Sequence, residues 1–168
     1  GSGEKRMEGD EIGFSDLDKK FKNGKMYVTQ KWGEISLRDL AMFMSKEEFL
    51  NVLSDYCVQK GFDLVVRKSD KMRYTAECSN LECTWKIHAF VLADGMTWAI
   101  KTISGDHTDC AFAKINSMAT VAWMTNKIRS ELAAQPKMPV KVMVTWFMDK
   151  FSIEVAERTM YKVRIAVT

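Results

Sequence analysis

The chain has 168 residues, a formal net charge of +3, 46% hydrophobic residues and five tryptophans, which suits one domain or two small ones with a proper core. Its apolar runs stay short of the roughly 18 residues a membrane span needs, and no charged-then-apolar leader opens it, so a membrane role is not expected. Three of its four cysteines stand in metal-ligand spacing with a histidine, which argues against a disulfide framework and for a reducing compartment.

Charge is unevenly spread. Residues 1–56 carry 9 basic and 11 acidic side chains, residues 57–113 carry 7 and 7, and residues 114–168 carry 9 and 4. The last third is therefore the basic part. Phosphate is attracted by such charge, but ordinary solvated helices carry it too.

In chain order, Gly1-Ser2-Gly3 reads as a cloning scar and residues 1–24 as a polar, flexible segment. A short strand is expected over Lys25–Lys31, and Leu37–Met44 is apolar but ambiguous in type. Lys46–Lys60 is a helix: Ser45 is a good N-cap, Glu48 completes a capping box, and Phe49, Leu50, Leu53, Cys57 and Val58 recur at helical spacing. Cys57 falls in that stripe and reads as a small buried hydrophobe. Gly61 suits the residue just past the helix end.

Four runs rich in β-branched and aromatic residues follow: Phe62–Lys68, Arg73–Cys78, Trp85–Leu92 and Trp98–Ser104. Ser69-Asp70-Lys71 and Ala93-Asp94-Gly95 are turns between them. Three further helices are expected at Met118–Ala134 with Ser117 as N-cap, at Val140–Phe151 after the breakers Pro136 and Pro139, and at Ile153–Val167 with Ser152 as N-cap. The fold class is α+β: a small antiparallel four-stranded sheet preceded by one helix and followed by a three-helix bundle. The division is 25–113 for the β domain and 114–168 for the helices.

Cys78, Cys83, His107 and Cys110 form a C-x4-C-x23-H-x2-C pattern. Thiolate and imidazole are ligands zinc prefers, and four of them close a tetrahedron with no open position, the mark of a structural site. One zinc ion would tie the loop after the second strand to the end of the fourth. His88 is the other histidine available, but it lies mid-strand in WKIHAF, whereas His107 shares a turn with Cys110.

Arg67-Lys68-Ser69-Asp70-Lys71-Met72-Arg73 places four cations around one turn beside the metal pattern. A two-stranded ribbon fits the major groove of B-DNA, where such side chains meet guanine edges or phosphates. A solvated hairpin is the plainer reading. Arg158, Lys162 and Arg164 make the last helix basic, either as part of a helix-turn-helix-like unit or as support for the sheet. No Gly-rich phosphate loop and no nucleophile–base pair stand out, so no catalysis is expected, and the tryptophans read as core rather than stacking platforms.

The run FMSKEEFLNVLSDYCVQKGFDLVVRKSDKMRYTAECSNLECTWKIHAF, with its histidine and cysteine downstream, resembles the N-terminal DNA-binding region of plant Mutator-like (MuDR-type) transposases and their domesticated transcription-regulating relatives. The likeness extends over about residues 42–168. It implies a WRKY-like zinc fold, one zinc on Cys78, Cys83, His107 and Cys110, and a strand pair that reads the major groove. It departs from the family at His107-Thr108-Asp109-Cys110, one residue longer than the usual H-x-C.

The candidate DNA contacts are then Arg67, Lys68, Ser69, Lys71, Arg73 and Lys86, with Arg158 and Lys162 on the last helix. The RNase H-like catalytic domain of such transposases has no counterpart here, so binding without cutting is expected. The leading function is sequence-specific recognition of double-stranded DNA in the nucleus, at terminal inverted repeats or a genomic regulatory site. The alternative is a protein-interaction module, favoured by the net charge of 0 over 57–113, the acidic first third and the 12 methionines.

Overall fold

The computed structural model describes residues 24–107 and 110–168. The expected flexible segment 1–24 therefore lies, but for Gly24, outside the described residues. The fold is α+β, built on a sheet of six strands where four were expected. The strands are β1 (Lys25–Met26), β2 (Ala41–Phe43), β3 (Leu64–Ser69), β4 (Arg73–Cys78), β5 (Lys86–Val91) and β6 (Trp98–Ser104), in spatial order β1-β2-β6-β5-β4-β3. The four expected strands form the antiparallel meander β3 to β6. β2 extends it antiparallel to β6, and β1 adds a parallel edge, so the sheet is mixed. β1 is the first two residues of the strand expected over Lys25–Lys31, and β2, three residues within the ambiguous Leu37–Met44, is too short for alternation to reveal.

Helix α1 (Lys46–Lys60) covers one face of the sheet. Its N-cap Ser45 accepts the Glu48 N–H at 3.0 Å, and Glu48 reaches back to the Met44 N–H at 2.6 Å. Gly61 ends it at φ 77° with its N–H on the Cys57 carbonyl. Phe49, Leu53 and Cys57 pack with Phe43, Ile87, Ile100, Trp85 and Trp98 in the first core. Cys57 is fully buried, and that burial pushes its thiol well above the ordinary range.

Helices α2 (Val121–Ala134), α3 (Val140–Phe151) and α4 (Glu157–Val167) form a second core around Met124, Ile128, Met143, Phe147, Met160 and Val163. Val58 of α1 belongs to this core, so α1 serves both. Two expected caps are corrected. Ser117 does not cap α2, because its hydroxyl and N–H both bond the Asp63 carboxylate. Thr120 caps instead, accepting the Trp123 N–H at 3.1 Å. Ser152 does not start a helix but ends α3 in the left-handed region at φ 59°. Residues 153–156 are a link that buries Ile153 and bonds Glu154 N–H to the Lys114 carbonyl, so α4 begins four residues later than expected.

Candidate metal centre and nucleic-acid interface

The strand ladder explains why the four metal-ligand candidates meet. Cys78 ends β4, Lys86 begins β5, and Ser104 ends β6, with Lys86 opposite both Glu77 and Ser104. The Cys78–Cys83 knuckle and the loop after β6 therefore leave the sheet at the same end. Gly105 bends that loop at φ 88°, so close to the knuckle that a Cβ would sit 2.5 Å from the Thr84 carbonyl oxygen.

The ligand atoms of Cys78, Cys83, His107 and Cys110 all lie within 4.8 Å of one another. Cys78 Sγ is 3.8 Å from Cys110 Sγ, and His107 Nδ1 is 3.3 Å from Cys83 Sγ and 3.7 Å from Cys110 Sγ. A zinc–sulfur distance of about 2.3 Å implies tetrahedral edges of about 3.8 Å, so the spacing fits a single ion. The sulfurs also meet donors, Asn80 Nδ2 at Cys110 and the Trp85 N–H at Cys83, both at 3.5 Å. Burial, the leading cause, pushes the Cys78 thiol up to about 12, so ion uptake there must displace a proton.

The His107 ring is fixed by stacking. Its centroid is 3.8 Å from that of Phe62 and 5.2 Å from that of Trp85. Nε2 is buried and finds no hydrogen-bond partner among the described residues. Burial first, then the Lys60 charge, lowers its pKa, which keeps the imidazole neutral as a metal ligand must be. His88 lies elsewhere, with Nδ1 3.0 Å from Thr75 Oγ1. Thr108 and Asp109, the extra spacing between His107 and Cys110, fall outside the described residues.

Side chains opposite one another on neighbouring strands share a face. On the face away from α1 the ladder places Lys68, Thr75, His88 and Thr102 in one row and Glu77, Lys86 and Ser104 in the next, with Arg73 opposite Phe90. Two β-bulges interrupt this pairing, and each has a cation as its extra residue: Arg67 on β3 and Lys101 on β6. Arg67 turns to Glu77, its Nε 2.6 Å from Oε2. Lys68, Lys86 and Lys101 are exposed and Arg73 is half-buried. Phe90 and Ala99 are covered at the far end by Leu40, Met42 and Leu92.

The acids of this region lie mostly elsewhere. Asp70 and Asp94 sit in hairpin turns, where backbone and threonine donors lower their pKa values. Asp63 bonds Ser117, Glu82 is in the knuckle and Asp106 in the loop after β6. Zero net charge over 57–113 thus conceals a basic face.

Arg67, Lys68, Lys71, Arg73 and Lys86 are gathered on β3 to β5 and the β3–β4 turn. Ser69 faces the other way, opposite the buried Tyr74, and accepts from Lys46 Nζ at 3.1 Å. Arg158 and Lys162 are exposed on α4, which packs against α2 and α3 rather than joining the sheet cluster. Sequence reasoning passed over Lys101, because Trp98-Ala99-Ile100-Lys101-Thr102-Ile103 shows no unbroken alternation and the bulge alone explains its place.

Residues 34–100 match the family model described as MuDR family transposase. Among solved structures, "Crystal structure of AFT2 in complex with DNA" aligns at 15% identity and a TM-score of 0.36, over 78% of this chain and 93% of that chain. No curated protein matches. The match spans the quoted run from Phe43 to Phe90 and ends before His107 and Cys110, so residues 34–100 are similar to the DNA-binding region of MuDR family transposases.

Proposed function

We propose that the chain binds duplex DNA sequence-specifically, through the β3–β4 hairpin and the basic outer face of the sheet, with one structural zinc on Cys78, Cys83, His107 and Cys110. The observation that carries this reading is the gathering of Lys68, Arg73, Lys86 and Lys101 on the outer side of the sheet, where the strand ladder adds the acid Glu77, paired with Arg67, and Asp70 in the turn lies 4.0 Å from Lys68. Four strands at about 4.8 Å spacing make a face about 15 Å across, wider than a major groove of about 12 Å. The two-stranded hairpin fits the groove. The broader face then lies against flanking phosphates, where cations position the protein and carry no sequence information.

On this reading the zinc fixes the end of the sheet and takes no part in chemistry, and the chain binds DNA in the nucleus without cutting it. Terminal inverted repeats or a genomic regulatory site are the targets it would read. The test is selection from a randomised duplex pool with zinc-loaded protein at about 0.15 M salt, where nonspecific phosphate binding is weakened. An enriched motif is expected. A pool that stays random would overturn the reading.

A further inference from the structure

We infer that Lys46 is a positioning residue for DNA recognition, tethering the tip of the β3–β4 hairpin so that its cations keep one aim. This rests on the DNA-binding reading above and deepens it. Lys46 is the first residue of α1, directly after the N-cap Ser45. A cation there faces the positive end of the helix dipole, where acids are favoured. Glu47 and Glu48 follow that preference and Lys46 breaks it.

The side chain leaves the helix end. Its Nζ donates to Ser69 Oγ at 3.1 Å and to the Asp70 carbonyl at 2.8 Å, and stands 5.3 Å from the centre of the Trp98 ring. Ser69 ends β3 and Asp70 opens the turn. The Asp70 carboxylate in turn accepts the Met72 and Arg73 N–H groups at 2.8 and 2.9 Å, and the Asp70 N–H meets the Arg73 carbonyl at 3.0 Å. One ammonium therefore joins α1, the core aromatic of β6 and the turn that presents Lys71 and Arg73. β3 is the last strand of the sheet and pairs with β4. An edge hairpin can swing about its ladder, and Lys46 holds its tip from outside that ladder.

Lys46→Met keeps side-chain length and helix propensity but removes the charge and both hydrogen bonds, while Lys46→Arg keeps the cation. Affinity of the zinc-loaded variants for the selected duplex is measured across salt concentrations, and amide exchange of Met72 and Arg73 is measured without DNA. Lys46→Met is expected to lose about tenfold in affinity, the scale of one or two exposed hydrogen bonds. Its salt dependence should match that of the unsubstituted chain, the two amides should exchange faster, and Lys46→Arg should restore most of the loss. A log–log salt slope smaller by about 0.9 would make Lys46 a phosphate contact and overturn the inference. Unchanged affinity with unchanged exchange would do the same. If the unsubstituted chain binds no duplex, the DNA-binding reading falls, and the recognition role of Lys46 with it, whatever the exchange rates.

Discussion

His107 turns Nδ1 toward Cys83 Sγ, 3.3 Å away, while Phe62 and Trp85 stack on its ring. A metal-bound histidine is usually held by a hydrogen bond from its other nitrogen. Aromatic packing takes that part here. This candidate ligand is thus fixed by the same side chains that build the first core, and loss of an ion held there should be felt beyond the loop.

Cys83→Ser and His107→Ala are each expected to abolish the single equivalent of zinc found by elemental analysis. With free zinc at a thousand times its Kd, binding adds about 4 kcal/mol to stability. Chelation should then lower Tm by roughly 8–16 °C for a chain of this size. A chelated sample with an unchanged melting curve would remove the site.

Gly105 controls the approach of the ligand loop. Its φ of 88° and the Thr84 carbonyl, 2.5 Å from where a Cβ would stand, both oppose a side chain. Gly105→Ala should cost about 1–3 kcal/mol in stability and weaken zinc retention against a chelator. Gly95→Ala is the comparison: its φ is 73° but nothing lies within 4 Å of the new Cβ. It should carry the backbone strain while leaving zinc retention intact, and equal zinc loss in both variants would count against the close approach as the cause.

Much of this was legible in the sequence, and the limits have physical causes. Ser45 and Glu48 announce α1 because a capping box is a local device, and the ligand spacing marks the metal cluster because short loops keep its pairs near one another. Lys68, Arg73 and Lys86 were already candidate DNA contacts, but Lys101 and the face they share were hidden. Its cations come from Lys68, Arg73, Lys86 and Lys101 on four strands, and only the register unites them. Bulges at Arg67 and Lys101 shift the alternation within β3 and β6, and no pattern inside one strand reveals a bulge opposite another. Ser117 and Ser152 misled for a different reason: each is a good cap by type, but Asp63 engages the first and a left-handed turn the second.

Lys86→Ala and Lys101→Ala should each weaken binding to the selected duplex and reduce the log–log salt slope by about 0.9, as loss of one phosphate contact does. Lys137→Ala, exposed in the α2–α3 link, should change neither. If all three variants behave alike, the outer face is not the phosphate-binding surface.

His88 should make binding pH-dependent. Burial chiefly, then the Lys101 and Lys86 charges, lower its pKa from 6.5. In the free chain the folded state therefore binds this proton less readily than the unfolded state, and stability falls as pH drops below 6.5. Phosphates laid beside Lys86 and Lys101 would offset that repulsion and raise the pKa again. Complex formation should then take up a proton, and affinity should rise as pH falls. Calorimetry in two buffers of different ionisation heat reads the uptake directly. His88→Gln should abolish it, and an uptake that survives the substitution would assign the proton elsewhere.

The helices beyond the family match should prove necessary to the sheet. The match ends at residue 100, before His107 and Cys110. A chain cut after Ala113 keeps all four candidate ligands but loses the second core. Val58, 1% exposed in the whole chain, would face water, which alone costs about 1.5–3 kcal/mol. Asp55 would lose both the Trp123 indole N–H at 2.8 Å and the Lys127 ammonium at 3.0 Å. Trp32 would lose Phe151, 4.8 Å away edge to face, and the Lys127 cation at 5.4 Å. The Phe62 carbonyl would lose Asn116, and Phe62 is one of the two rings that hold His107. Fragment 1–113 is therefore expected to melt well below the whole chain, or without cooperativity, and to release zinc to a chelator faster. Equal Tm and equal zinc retention in the two would show that the sheet and its metal stand alone, and that α2 to α4 only ride on them.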